Sequence, residues 1–355
     1  MRIGLDGTPL TVPADGTARY TAELSRALAR EFPEDEIVLL SDQPFAPPPD
    51  SPGNLRVGGS PRNWLERRWW SYGLPREMLR RHVDIFHGTG FSVPYLTLRP
   101  SVVSIHDLSP WRDPAWHSAA DRVRRRTPLL VRLGLATMVI TDTEAIRREV
   151  CEHFHLPSAR VAAVRLAAAD VFRPLPQPPS PVPYFLFAGA IEPRKNLVML
   201  VDAWRREARG SGVELLLAGR RRDDGPRFQA EPGLRLLGEV DDEELARLYN
   251  GALAVVYPSL YEGFGLPVVE AMSCGAAVVT SCDHALVEVC GGAALHVEAT
   301  DVRGWEDAMR AFVQKPGFAD EWRQRALTRA RDFSWARTAR LTREVYDEAR
   351  RRFGS

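Results

Sequence analysis

Lysine is almost absent from this chain: of 47 basic residues only Lys195 and Lys315 are lysines, and arginine supplies the rest. A lysine kept inside "EPRKN" points to a need for a compact ammonium, although an arginine-favouring codon usage explains the excess equally well. Cysteine is scarce too. Cys151, Cys274, Cys282 and Cys290 form no C-x-x-C pair, which reads as small buried hydrophobes rather than disulfides or a zinc site. Net charge is missing as well, at +1, so the composition gives no electrostatic footprint for nucleic acid. No apolar run reaches the roughly 18 residues of a membrane span, and the opening "MRIGLDGTPL" is too short and polar for a signal peptide. A cytoplasmic location is the expectation. A tight G-x-G-x-x-G after a strand, followed by an acidic residue about 20 positions on, is absent, which argues against a nicotinamide-dependent oxidoreductase. No D-x-D stands beside a strand end, so no bound divalent metal is implied.

What is present is alternation. The 355 residues suffice for two domains of ordinary size. Short apolar runs closed by Gly, Asp or Ser read as strands: "RIGLDG", "EIVLLS", "VDIFHG", "SVVSIHD" and "TMVITD" in the first half. "YFLFAG", "VELLLAG", "LRLLG", "LAVVYPS" and "AAVVTS" follow in the second. Helical patterns lie between most of them, which predicts an α/β chain with parallel sheets covered by helices. Six prolines crowd residues 174–183, a stiff, extended linker. The expected organisation is a first Rossmann-like domain over 1–173, the linker 174–183, and a second such domain over 184–339, with a cleft between them. The closing "FSWARTARLTREVYDEARRRF" predicts a long amphipathic helix.

Ligands of open α/β sheets bind beyond the carboxyl ends of the strands, so the loops there carry the candidate sites. After "LAVVYPS" comes "LYEGFGLPVVEAM". Pro267 places a helix start near Leu266, whose free N–H groups favour phosphate, and Gly263 and Gly265 permit close backbone approach. Glu270, one turn inside, could accept hydrogen bonds from ribose hydroxyls, and Glu262 would face whatever hangs from the phosphate. Spacing alone equally admits a loop residue and a helix-face charge. A carboxylate in so apolar a run is costly without a partner, supplied by protein or by ligand. Arg194 and Lys195 precede another helix, where cations oppose the dipole; a clamp on a diphosphate is the favoured reading. His106 ends a strand and is a hydrogen-bonding or acid/base candidate, though a lone histidine is more often structural. Gly16 lies in a loop entering a helix, a weak phosphate signal. "VDDEELARLYN" reads as a capped helix start. Two arginine-rich segments, "RNWLERRWWSYGLPREMLRRH" and "DRVRRRTPLLVRLGL", usually mean a solvated face; the sharper reading is a surface for anionic lipid or a lipid-linked acceptor.

Together "EGFGLPVVE", "GAIEPRKN", "LLLAG", "LLGEV", "ELARLYNGA" and the closing "FSW" helix resemble the retaining glycosyltransferases of family 4. Their GT-B fold sets two Rossmann-like domains facing each other across a cleft, with the helix near 340–355 packing back on the first. The resemblance implies a nucleotide sugar as donor, with no cofactor and no metal. It implies that Arg194 and Lys195 bind the diphosphate, Glu270 the ribose and Glu262 the sugar. Backbone from Gly263 through Phe264 and Gly265 to Leu266 would assist, with Gly189, Gly219 and Val240 lining the donor site. Gly16 would approach the phosphates from the first half, and His106 the sugar near the reacting carbon. The opening half looks most like bacterial mannosyltransferases of polysaccharide assembly, which implies GDP-mannose and a glycan or lipid-linked acceptor, with possible contact at the inner membrane surface. "RLAAADVF" and "CDHALVEV" depart from the family pattern at two loops. A UDP-sugar transferase, a sugar-nucleotide 2-epimerase on the same fold and a non-catalytic binding subunit are the rival readings.

Overall fold

The computed structural model describes residues 1–12, 16–113, 116–117, 120–176, 180–229 and 231–353. The chain divides into two compact units, Met1–Leu166 with Ser334–Ser355, and Ala167–Phe333.

In the first unit the chain order is β1 (Arg2–Asp6), α1 (Gly16–Glu31), β2 (Glu36–Leu40), β3 (Leu55–Val57), α2 (Leu74–Arg80) and β4 (Ile85–Gly88). Then come β5 (Ser101–Ser104), α3 (Ser109–Arg112), α4 (Asp121–Arg132), β6 (Met138–Thr141), α5 (Glu144–Phe154) and β7 (Val161–Ala163). Among the described residues these strands form one seven-stranded parallel sheet in the order β3-β2-β1-β4-β5-β6-β7.

The second unit runs β8 (Tyr184–Ala188), α6 (Leu197–Glu207), β9 (Glu214–Ala218), β10 (Leu234–Gly238), α7 (Asp242–Gly251) and β11 (Ala254–Tyr257). It continues through α8 (Leu266–Ser273), β12 (Val278–Ser281), α9 (His284–Cys290), β13 (Leu295–Val297), α10 (Val302–Gln314) and α11 (Phe318–Ala330). Its six described strands are parallel in the order β10-β9-β8-β11-β12-β13. The central strands are buried on both faces, β8 along its whole length, as continuous apolar runs require under helices on either side.

Helix α12 (Trp335–Arg352) returns to the first unit. Ser334 caps it by accepting from the Arg337 N–H, so it starts five residues ahead of 340. Thr338 Oγ1 donates to the Arg165 carbonyl, and Arg343 pairs with Asp35 at 2.8 Å. The proline-rich stretch has no regular element among its described residues; 177–179 lie outside them. Its start is tied to the second unit, because the Leu175 N–H donates to Asn250 Oδ1 of α7 and Asn250 Nδ2 donates to the Arg173 carbonyl.

All ten strand expectations appear as strands. The three that pattern reading passes over, β3, β7 and β13, have three residues each and lie at sheet edges. So short a run carries too little periodicity to stand out.

Candidate active site

Both sheets reverse strand order at one place: between β1 and β4 in the first unit, and between β8 and β11 in the second. The loops after the strands flanking such a reversal are where open α/β sheets form binding crevices. The main candidates of the second unit fall there, Arg194 and Lys195 beyond β8, and Glu262 and the start of α8 beyond β11.

A 3-10 turn, Pro193–Lys195, carries the two cations. Lys195 is buried, and its Nζ donates to Glu262 Oε1 at 2.5 Å and to the Tyr257 hydroxyl at 2.8 Å. Arg194 Nη1 donates to the Tyr261 carbonyl at 2.5 Å and lies 3.1 Å from Glu262 Oε2. Its Nη2 donates to Glu192 Oε1 at 2.8 Å, while the other oxygen of Glu192 accepts from Arg222 Nη1 at 2.6 Å. Arg222 also pairs with Asp224 at 3.2 Å, so three cations interlock with three carboxylates. Burial alone would raise the Glu262 carboxyl, but Arg194 and Lys195 outweigh it and hold Glu262 at about 2. Burial, then Arg194, push Lys195 down, against the pull of Glu262 and Glu192. The two tendencies are compatible with an ionised pair, because Glu262 has two cations while Lys195 has a cation as neighbour. The question of what satisfies the Glu262 carboxylate is therefore answered by protein.

Helix α8 opens as the glycines and Pro267 indicated. Gly265 adopts φ +89° as its N-cap, and a Cβ there would meet Leu286 Cδ2 at 2.6 Å. Gly263 and Phe264 are buried, with Phe264 edge-on to Phe333, and Leu266 is half-buried. Glu270 is buried inside α8 and accepts from the Tyr249 hydroxyl at 3.2 Å. Asp283 caps α9 through the Ala285 and Leu286 amides; burial, with Glu262 nearby, pushes it up to about 6. Gly219, at the tip of β9, has backbone reasons of its own: a Cβ there would lie 2.0 Å from the carbonyl oxygen of Gly189 at the tip of β8. Val240 is half-buried between β10 and α7.

In the first unit Gly16 opens α1 and is exposed; residues 13–15 before it lie outside the described set. His106, just past β5, has both ring nitrogens engaged, Nδ1 with Asp142 Oδ2 and Nε2 with the Thr89 carbonyl, each at 2.8 Å. A carbonyl only accepts, so Nε2 carries a proton. Burial opposes charge on the ring, but Asp142 and the Thr89 carbonyl push His106 up to about 9. The ring meets the edge of Tyr20, centroids 4.7 Å apart. Tyr20 bonds Ser104, Ser104 bonds His87 and His87 bonds Tyr346 of α12. Burial drives His87 down to about 3, so this relay is neutral.

Against known proteins, the model "Glycosyl transferases group 1" matches residues 182–315 and "Glycosyltransferase Family 4" matches residues 14–166. The O-antigen chain mannosyltransferase B of Escherichia coli is 32% identical over 98% of this chain and 99% of that one. The chain belongs to glycosyltransferase family 4. It is therefore a retaining hexosyltransferase. A D-inositol 3-phosphate glycosyltransferase of a Nocardioides species is 32% identical over 61% of this chain and 54% of its own length. Among solved structures, sucrose-phosphate synthase from Thermosynechococcus elongatus superposes with TM-score 0.77 at 20% identity, covering 98% of each chain. Anabaena HepE in complex with UDP-glucose gives 0.74 at 15%, covering 98% of this chain and 99% of its own. The transferase thus has the GT-B fold.

Within the transferase, the structure brings Arg194, Lys195 and Glu262 into one cluster and sets Glu270 in the helix that begins beside it. Several partners escaped sequence reading. Glu192 stood in view inside "IEPRKN", Tyr257 passed as an ordinary strand residue of "LAVVYPS", and Asp142 as the polar stop of "TMVITD". Arg222 follows a strand in "GRRRDDGP" and gave no signal beyond its charge. Among the described residues no group of three His, Cys, Asp or Glu could hold a metal ion, and no helix is long and apolar enough to cross a membrane.

Proposed function

We propose that this transferase moves mannose from GDP-mannose to a glycan or lipid-linked acceptor in cell-surface polysaccharide assembly, with retention at the anomeric carbon. The observation that carries the reading is the Arg194–Lys195–Glu262 cluster beside the first turn of α8, at the reversal point of the second sheet. A diphosphate leaving group gains one negative charge on its terminal phosphate as the bond to the sugar breaks, and fixed cations with helix N–H groups meet it without reorganising. Glu262 keeps both cations in place and presents its remaining acceptor capacity to the sugar. Glu270 accepts from the ribose hydroxyls. In the first unit, Gly16 and His106 take the donor-facing roles that the family likeness implies. A phosphate oxygen receives the acceptor proton as the acceptor attacks the face that the leaving group vacates.

The mannose assignment leans on the near full-length likeness to an O-antigen mannosyltransferase. A UDP-sugar donor is the second reading, favoured by HepE, whose structures hold UDP-glucose or UDP. Labelled GDP-mannose and UDP-glucose are offered separately, with and without an extract of lipid-linked acceptors. Acceptor-dependent transfer of α-linked mannose from GDP-mannose supports the proposal. Transfer from UDP-glucose alone replaces the donor, and an epimerised nucleotide sugar without acceptor would overturn the transferase reading.

A further inference from the structure

Granted the diphosphate role of Arg194, we propose that Arg222 and Glu192 are positioning residues that act through it, holding its guanidinium in the attitude that meets the phosphates. Arg194 is gripped from two sides. Its Nη1 faces the loop after β11, where it donates to the Tyr261 carbonyl at 2.5 Å and pairs with Glu262 Oε2 at 3.1 Å. Its Nη2 donates to Glu192 Oε1 at 2.8 Å. Glu192 stands two residues before Arg194 on the same loop, so it could move together with the arginine. What ties it down comes from another loop: Arg222, beyond β9, donates from Nη1 to Glu192 Oε2 at 2.6 Å. Glu192 is buried, and a buried carboxylate stays ionised and in place only when its oxygens are partnered.

Arg222 is fixed in its turn by side chain and backbone. Its Nε lies 3.2 Å from Asp224 Oδ1. Its N–H donates to the Ile191 carbonyl at 3.1 Å, and the Ile191 N–H donates to the Arg220 carbonyl at 2.9 Å, so the loops after β8 and β9 are joined backbone to backbone. Gly225 completes the fit, because a Cβ there would lie 2.0 Å from the Ile191 carbonyl oxygen. The segment "RRRDDG" is thus folded onto the residue that precedes Glu192. A half-buried arginine on an exposed acid would contribute little. Here the acid is buried and carries Arg194 on its other oxygen. A guanidinium held in its binding attitude before the ligand arrives loses less side-chain freedom on binding, so the effect of Arg222 belongs to the phosphates and not to the nucleoside.

Calorimetric titration of the full chain with GDP and with UDP, each beside its own nucleoside, is the test. Arg222→Met should weaken binding of the diphosphate by roughly five- to tenfold and leave nucleoside affinity at the wild-type level. Glu192→Gln, close to the same shape without the charge, carries the same expectation and serves where Arg222→Met does not fold. In an Arg194→Met background, Arg222→Met should add no further loss, because the two act through one guanidinium. Full diphosphate affinity in the folded Arg222→Met or Glu192→Gln variant, an equal loss for the nucleoside, or the same loss repeated in the Arg194→Met background overturns the proposal and leaves Arg194 on the diphosphate. Wild-type diphosphate affinity in Arg194→Met itself removes the diphosphate role, and this proposal with it.

Discussion

Replacing Lys195 by methionine keeps the length and apolar stem of the side chain and removes one charge from a buried pair. Glu262 then loses the donor 2.5 Å from Oε1 and retains Arg194 at 3.1 Å from Oε2, and the Tyr257 hydroxyl loses a donor at 2.8 Å. Stripping one partner from a buried ion pair costs about 3 kcal/mol or more, because the surviving charge stays buried. Loss of one preorganised cation facing the leaving group removes about 3 kcal/mol of transition-state stabilisation. At roughly 1.4 kcal/mol per decade, turnover falls more than a hundredfold. Urea denaturation reads the first effect and nucleoside diphosphate release the second. Adding Glu262→Gln separates them: with no buried carboxylate left to strand, the double variant should regain roughly 1–3 kcal/mol while turnover stays low. A Lys195→Met enzyme that is folded and turns over within a fewfold of wild type would refute the role given to this ammonium.

Four further outcomes follow from the same geometry. Glu262 is held at about 2 against an ordinary 4.5, so its pairing contributes about 3 kcal/mol above pH 4.5 that is lost as pH falls toward 2; acid denaturation of Glu262→Gln should lack that portion. His106, raised to about 9, contributes stability that is complete below pH 6.5 and lost as pH rises through 9; Asp142→Asn should bring its imidazole titration, followed by NMR, well below 9. Gly265→Ala forces a side chain onto φ +89° and into Leu286, and should cost about 2 kcal/mol in urea denaturation. Glu270→Gln should weaken nucleoside diphosphate binding by roughly tenfold, and the 2′-deoxy nucleotide should show that loss in wild type but not in the variant; equal losses in both remove Glu270 from the ribose.

The strands and the α8 start were legible because they rest on local rules, continuous apolar runs for strands covered on both faces and Pro267 behind Gly265 for a helix entry. The cluster was legible in its members but not in its wiring. Sequence order places Arg194 and Lys195 sixty-odd residues from Glu262, and only the parallel pairing of β8 with β11 brings their loops together. Spacing left open whether protein or ligand partners a carboxylate in this run; at Glu262 two cations do. His106 read as a lone histidine, because Asp142 becomes its neighbour only through the pairing of β5 with β6. The edge strands escaped for lack of pattern, because three residues show no period.

The central claim is that the diphosphate of the donor rests on the Arg194–Lys195 pair and the first turn of α8. Crystals of the transferase grown with GDP test it most directly. The expected result is phosphate oxygens at about 3 Å from Lys195 Nζ, an Arg194 guanidinium nitrogen and the amides near Gly263 to Leu266, with the ribose against Glu270. Nucleotide bound elsewhere in the chain, with the Lys195–Glu262 pair untouched and this place filled by protein side chains, would contradict it.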